Sequence, residues 1–236
     1  MPLIDVKRIS KRLGITVNDL VLATTAGALR ELLLRHDGHA DKPIVASVPI
    51  STDTSPDRVS GNQLSTMLVS LPVHVADPLE RVALTRAATD VAKENYQLLG
   101  PKTVGSWLDY APPAVARATF RWMARRDNKN QLLNLTVSNV PGPRERGRVA
   151  GAVVSEIYSV GPLAAGSGMN ITVWSYVDQL NISVLADDRT LRDAHEATES
   201  MIRAFTEIAS SAGCQDMPTD VCSAMPPVTD HGSAVG

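Results

Sequence analysis

The chain has 236 residues, of which 44% are hydrophobic and 20% are charged, and its formal net charge is −2. This length and composition predict a folded protein with a sizeable core and exclude a chain that is disordered throughout. The charge argues against a nucleic-acid partner, because nucleic-acid-binding domains usually present a strongly basic face.

The first hundred residues predict two helices and two strands. Thr16 and Asp19 form the Thr-x-x-Asp pattern of a capping box, so a helix is expected to begin there, and Gly38 suits its end. Two apolar segments, 42–50 and 62–73, predict strands. Asp77 and Pro78 then lead into a second helix, which is expected to reach residue 99.

Residues 101–127 are predicted to be irregular and then helical. The helical part has an arginine stripe, formed by Arg117, Arg121 and Arg125, with aromatic residues nearby. A solvated charged face is the simplest interpretation of such a stripe. An amphipathic element at a lipid surface, or a site for the phosphates of a nucleotide-bearing substrate, also fits it.

The second half of the chain is richer in strands. A strand is predicted over 132–140, and the segments 169–177 and 179–187 predict a β-hairpin that turns at Asp178 and Gln179. A last helix is expected to begin at the capping pattern from Thr190 to Asp193. This order of helices and strands predicts an α/β (α+β) fold, a two-layer sandwich with a mixed β-sheet.

The chain is expected to form one domain over residues 1–212, followed by a disordered tail over 213–236 that is rich in Pro, Thr, Ser and Gly. Cys214 and Cys222 both lie in this tail, so no disulfide framework is expected and a cytoplasmic location fits best. No segment approaches the ~20 apolar residues of a membrane span. The protein is therefore expected to be soluble, or peripheral to a membrane or lipid droplet.

Common catalytic motifs are absent from the sequence. The sequence contains no Gly-x-Ser-x-Gly elbow, P-loop, dinucleotide fingerprint, Cys-x-x-Cys or His-Glu-x-x-His. His36 and His39 could share a metal ion, but two ligands in a polar turn are too few for a site. Neither a metal nor a bound cofactor is therefore expected.

Asn18 is a polar residue at the start of an otherwise apolar helix face. An unpaired buried amide would cost on the order of 1–3 kcal/mol, so a structural hydrogen bond to a neighbouring loop is the simplest interpretation. The functional alternative is an amide presented at a positively polarised helix start, which suits an anionic or carbonyl oxygen. Asp19 is interpreted as the acid of the capping box.

The strand before residue 140 has two different faces. Residues from Leu133 to Asn139, in steps of two, are expected to face the core, and Asn134, Thr136 and Ser138 share the other face. That polar row either satisfies the local backbone or lines a binding channel.

The strand runs into a turn with two prolines. Pro141 and Gly142 suit the central pair of a type II turn, in which the glycine would supply a positive φ. Such a turn would hold the end of the strand in place.

Several segments together resemble the carboxyl-terminal half of the bacterial wax ester synthase/acyl-CoA:diacylglycerol acyltransferase family. They occur in one order and span most of the chain up to about Ala209: "TVNDLVLA", "VPIS", "GNQLSTMLVSLPV", "DPLERV", "SNVPGP" and "GMNITVWSYVDQLNISVLAD". The resemblance implies half of a chloramphenicol acetyltransferase-like fold, in which two similar domains surround a substrate channel. It also implies that Asn18 and Asp19 shape the active site, and that the stretch containing Ser138, Asn139, Pro141 and Gly142 lies beside the channel.

The chain departs from the family at the catalytic motif, His-His-x-x-x-Asp-Gly, because its five histidines include no adjacent pair. The "RHDGH" segment lacks the spacing of that motif. The sequence therefore predicts no catalytic residue in this chain.

The resulting hypothesis is half of an enzyme that moves a fatty acyl group from acyl-CoA to diacylglycerol or a long-chain alcohol. Acyl-CoA would be a substrate, and a partner or paralogue would supply a histidine-bearing amino-terminal half. The alternative is a non-catalytic domain that binds acyl-CoA, lipid or another protein.

Overall fold

A mixed β-sheet with helices packed on one face forms the framework of the protein. The computed structural model describes residues 1–51, 64–99, 133–163 and 167–214. The helices in these residues are α1 (Leu3–Leu13), α2 (Val17–His36), α3 (Pro78–Leu99) and α4 (Ala194–Ser211). The strands are β1 (Ile44–Ser51), β2 (Leu64–Leu71), β3 (Leu135–Val140), β4 (Arg148–Val149), β5 (Ala152–Val153), β6 (Met169–Tyr176) and β7 (Gln179–Ala186).

The main sheet has five strands in the order β2-β1-β3-β6-β7. The pairs β1–β3 and β3–β6 are parallel, whereas β1–β2 and β6–β7 are antiparallel. The strands β4 and β5 form a separate small hairpin between β3 and β6. The predicted mixed sheet in a two-layer α/β architecture is confirmed.

The core lies between this sheet and the helices α2, α3 and α4. On β3, Leu135 and Val137 are buried, while Thr136 and Ser138 on the opposite face are half-buried, as the period of two predicts. The helix α2 is buried on all sides from Asp19 to Leu29, so it is the central helix of the layer rather than a surface helix with one apolar stripe.

Three local features differ from the sequence-based expectations. The helix α1 has no predicted counterpart: Pro2 stands at its N-cap without a side-chain hydrogen bond, and the sequence thus offers no capping signal. The β6–β7 turn is Val177–Asp178, one residue earlier than expected, and Val177 has a φ of 54°. The last helix is capped by Asp193, whose side chain accepts a hydrogen bond from the His195 amide, and not by Thr190.

Some predicted features fall outside the described residues. These are the arginine stripe of Arg117, Arg121 and Arg125, and the predicted tail beyond residue 214.

Candidate active-site wall

Asp19 is fixed at the start of α2 by hydrogen bonds to two helices. It is buried, and its Oδ2 accepts hydrogen bonds from the Thr16 amide at 3.0 Å and the Thr16 hydroxyl at 2.8 Å. The Thr16 hydroxyl in turn accepts from the Asp19 amide, which completes the predicted capping box. The other carboxylate oxygen accepts from the Thr89 hydroxyl of α3 at 2.7 Å. Asp19 therefore joins α3 to the first turn of α2.

Asn18 is held by the same turn but has a different environment. It is half-buried, and its side-chain amide makes no hydrogen bond to any residue in the described part of the chain. The structural hydrogen bond to a neighbouring loop is thus absent among these residues. The amide lies in the first turn of a 20-residue helix, where the backbone dipole favours a partial negative charge.

The start of α2 lies over the carboxyl ends of the parallel strands. Leu20 and Val21 line a small apolar void together with Val173, which lies in the carboxyl half of β6 and in register with Asn139 near the end of β3. At the other end of α2, Arg30 donates hydrogen bonds to the carbonyls of Val73 and His74, which follow β2. The helix thus runs antiparallel to β3 and β6, and its amino end faces the strand ends at which open α/β sheets usually bind ligands.

The sheet face opposite the helices carries a polar row. Thr136 lies in register with Ser47 of β1 and Asn170 of β6, and Ser138 lies in register with Thr172. The hydroxyls of Thr136 and Ser138 have no hydrogen-bond partner among the described residues, and both side chains are half-buried. Both hydroxyls are therefore available for a further hydrogen bond.

The β6 part of this face is covered by residues 147–162. Asn170 donates to the carbonyl of Pro162, and Thr172 accepts from the Gly161 amide. Asn181 and Tyr176 donate to the carbonyls of Ile157 and Val154. These bonds anchor the long β3–β6 connection on the sheet, so the polar side chains of β6 and β7 have structural roles.

Asn134 and Asn139 lie away from the polar row. Asn134 precedes the amino end of β3, where its Oδ1 accepts a hydrogen bond from the Val45 amide at 2.9 Å and extends the β1–β3 pairing. Asn139 is half-buried and lies in register with Val173, on the face that the helices cover.

The Pro141–Gly142 turn differs from the type II prediction, because Gly142 is not among the glycines with positive φ. Glycine is required here for close approach instead: a Cβ would collide with the Ser175 carbonyl oxygen and with Trp174 Nε1. The Gly142 amide donates to the Ser175 hydroxyl at 3.0 Å, and the Val177 amide donates to the Pro143 carbonyl at 2.9 Å. The turn is thus bound to the end of β6.

Trp174 is a further candidate, which the sequence motifs alone do not indicate. Its Nε1 is buried and has no hydrogen-bond partner in the described residues, and Trp174 lies in register with Val140 at the end of β3. Because buried indole N–H groups usually find an acceptor, this unpaired donor beside Gly142 is unusual. The period of two along β6 places it in the same row as Asn170 and Thr172, which is a signal present in the sequence.

The histidines of "RHDGH" lie far from this wall, at the carboxyl end of α2. His36 contacts Glu196 of α4 at 2.9 Å, and His39 contacts the carbonyl of Asp37. Hydrogen bonds from His36 and then Arg35 lower the pKa of Glu196. The described residues contain no group of three or more His, Cys, Asp or Glu that could hold a metal ion.

Comparison with known proteins identifies the family. The model of the WS/DGAT C-terminal domain matches residues 60–209. The chain belongs to this family. A Mycobacterium tuberculosis (strain H37Rv) protein named "Putative diacyglycerol O-acyltransferase" is 59% identical over 225 residues, which are 95% of this chain and 48% of that protein.

Two more distant relatives agree. The O-acyltransferase WSD of Acinetobacter baylyi is 34% identical over 180 residues, which are 76% of this chain and 38% of its own length. The structure of the wax ester synthase/diacylglycerol acyltransferase from Marinobacter aquaeolei VT8 superposes with a TM-score of 0.72 at 27% identity, covering 90% of this chain and 48% of that one. This chain thus has the expected chloramphenicol acetyltransferase-like half fold. It spans about half the length of the curated relatives that it matches.

Among the described residues, no helix is both long and apolar enough to cross a bilayer. The channel and active-site roles of Asn18, Asp19, Thr136, Ser138 and Asn139 stay predictions.

Proposed function

We propose that this chain forms one wall of the active site of an O-acyltransferase, which moves a fatty acyl group from acyl-CoA to diacylglycerol or a long-chain alcohol. The observation that supports this most directly is the contrast at the start of α2. The Asp19 carboxylate accepts three hydrogen bonds, whereas the neighbouring Asn18 amide has no partner among the described residues. A rigid helix start that presents a free amide is suited to binding a polar atom of a substrate.

The reaction needs a base and a stabilised carbonyl oxygen. The acceptor hydroxyl attacks the thioester carbonyl, a base removes the hydroxyl proton, and the C–S bond breaks to release CoA. As negative charge develops on the carbonyl oxygen, the Asn18 amide would donate a hydrogen bond to it, and the positive end of the α2 dipole would add to this stabilisation.

The base is proposed to come from outside this sequence. None of its five histidines belongs to a His-His-x-x-x-Asp-Gly motif. In the described part, His36, His39 and His195 lie at or near the ends of α2 and α4, and His74 follows β2 beside Arg30. An amino-terminal half that bears this motif would complete the site, with the carboxyl ends of β3 and β6 facing the channel.

The test is to co-express the chain with the amino-terminal half of the 59%-identical M. tuberculosis relative and to assay labelled acyl-CoA with diacylglycerol and with a long-chain alcohol. We expect ester product that depends on both halves. Replacement of Asn18 by Ala should lower kcat by about 10²-fold, the range for loss of one donor to a developing oxyanion. Its stability should change little, because no hydrogen bond to the described residues is lost.

The matched control is Asn95→Ala at an exposed position of α3, which should retain full activity. Activity of the amino-terminal half that is unchanged by addition of this chain would contradict the proposal. Equal losses of activity in Asn18→Ala and Asn95→Ala would contradict the role of Asn18.

A second candidate function follows from the absence of the histidine motif. The chain would then be a non-catalytic domain that binds acyl-CoA, lipid or a paralogue. Its signature would be saturable acyl-CoA binding by the chain on its own that survives Asn18→Ala, with no product in the presence of any amino-terminal half.

A further inference from the structure

A second pocket lies on the helix layer, remote from the proposed active-site wall. It has a volume of about 280 Å³ and opens between α2, α4 and the start of α3. Its lining includes Gly27 and five charged residues, Arg30, Glu31, Arg81, Arg203 and Glu207, and we call it the arginine pocket. Along α2, at 1.5 Å per residue, Glu31 is roughly 20 Å from Asn18. A ligand in this pocket would thus not contact the proposed active site.

The floor of the pocket is an arginine that is almost fully buried. Arg81 is 1% exposed, and its Nη2 donates to Glu207 Oε2 at 2.6 Å while its Nη1 donates to the Val75 carbonyl. Its Nε is buried without a hydrogen-bond partner in the described residues. An unpaired donor on a buried cation is costly, so a ligand oxygen that reaches it would be bound favourably.

Gly27 creates the space for this guanidinium. A Cβ at this position would lie 2.9 Å from the Ala204 Cβ and 3.0 Å from Arg81 Nη2. Any side chain at residue 27 would therefore displace Arg81 or separate α2 from α4. The pocket depends on a small residue at the point where α2 packs against Ala204 of α4.

The pocket has an excess of positive charge. Arg203 pairs with Glu31 at 2.8 Å and Arg81 pairs with Glu207, so each carboxylate already has an arginine partner. Arg30 has no carboxylate partner among the described residues and donates only through Nη1, to the carbonyls of Val73 and His74. The charge of Arg30 is thus uncompensated at the side of the pocket.

Size and charge together define the ligand class. The volume is just below the roughly 300–1,000 Å³ that small-molecule sites occupy, so the pocket is too small to enclose acyl-CoA and suits a smaller ligand. Guanidinium groups bind phosphate and carboxylate oxygens in preference to other groups, because their fork of N–H donors matches the geometry of these anions. We propose that the arginine pocket binds a small oxyanion, a phosphate or carboxylate group, between Arg30 and Arg81.

The experiment measures the melting temperature of the whole chain against rising inorganic phosphate, citrate or sodium chloride at matched ionic strength. We expect a saturable increase with phosphate, citrate or both, beyond that with chloride, because an anion that binds only the folded state stabilises it. A response to phosphate alone indicates a phosphate-bearing ligand, and a response to citrate alone indicates a carboxylate.

Two substitutions should act in opposite directions. Arg30→Gln should weaken binding at least tenfold, because it removes the uncompensated charge. Glu207→Gln should tighten binding several-fold, because it leaves Arg81 without its carboxylate and the added anion can replace it. Arg192→Gln, at an exposed position outside the pocket, is the matched control and should bind like the wild type.

Identical melting curves in chloride and in both oxyanions, for the wild type and Glu207→Gln, would overturn the proposal. Equal weakening by Arg30→Gln and Arg192→Gln would also overturn it, since the effect would then be one of general surface charge. The assay requires no catalytic activity, so it is independent of the proposed acyl-transfer function.

Discussion

The hydrogen bond between Thr89 and Asp19 gives a sharp test of how α3 holds the start of α2. Thr89 is fully buried and donates to Asp19 Oδ1 at 2.7 Å. Replacement of Thr89 by Val keeps the shape of the side chain but leaves a buried carboxylate oxygen without this donor. Hydrogen bonds to charged groups contribute roughly 1.5–3 kcal/mol, so Thr89→Val should lower the free energy of unfolding by about 2 kcal/mol.

Asp19→Ala removes the same bond together with the Asp19 half of the capping box. A cap contributes about 1 kcal/mol, so this variant should lose about 3 kcal/mol. The double variant should lose little more than Asp19→Ala alone, because its Thr89 bond is already absent. The expected coupling free energy is therefore about 1.5 kcal/mol.

Urea denaturation followed by far-UV circular dichroism measures the free energy of unfolding of the wild type, the two single variants and the double variant. Their midpoints can be compared if the m-values are equal. The matched control is Thr206→Val at an exposed position of α4, which should change the free energy of unfolding by less than about 0.5 kcal/mol. A coupling free energy near zero, or a Thr89→Val variant as stable as the control, would refute the inferred link between α3 and α2.

Three further predictions concern stability. Thr24 is buried in α2 and its hydroxyl has no partner in the described residues. Thr24→Val should therefore raise the free energy of unfolding, measured in urea, by about 1 kcal/mol, whereas a decrease would reveal a partner. Val177 has a φ of 54° in a two-residue hairpin turn, and glycine adopts this left-handed region more readily than valine does. Val177→Gly should therefore raise the melting temperature by the equivalent of about 1 kcal/mol. A decrease would show that side-chain packing outweighs backbone strain. His36 and Arg35 lower the pKa of Glu196. This contact therefore stabilises the fold at pH values above the ordinary pKa of a glutamate, and the stabilisation is lost as the pH falls through the lowered pKa of Glu196. The difference in melting temperature between wild type and Glu196→Gln should thus be present at neutral pH and vanish in acid; a difference that persists in acid would have another cause.

The elements with strong local signals were predictable from the sequence. The helix α2 begins at a capping box, and the β6–β7 hairpin consists of two apolar segments of strand length. The mixed sheet follows from the order of such elements. The parallel pairing of β3 with both β1 and β6 was not predictable, because it depends on crossovers between segments that are distant in the chain.

The remaining differences come from contacts that only tertiary structure creates. The helix α1 lacks a capping side chain, and its position depends on hydrogen bonds from the first residues to the β6–β7 hairpin, such as Leu3 amide to Asp178 carbonyl at 2.8 Å. Pro141 and Gly142 have the residue types of a type II turn. Position 142 nevertheless requires glycine because Ser175 and Trp174 of another strand lie so close to it. Local turn preferences cannot include such an approach.

Asn18 and Asp19 show the same limit within the candidate site. In the sequence they form one polar pair at a helix start, and the capping box explains only Asp19. The structure separates them, because Thr16 and Thr89 use both carboxylate oxygens of Asp19 while the described residues leave the Asn18 amide free. Loss of activity in an Asp19 variant would consequently be accompanied by loss of stability. Loss of activity in Asn18→Ala at unchanged stability would identify the amide itself as the group that contacts the substrate.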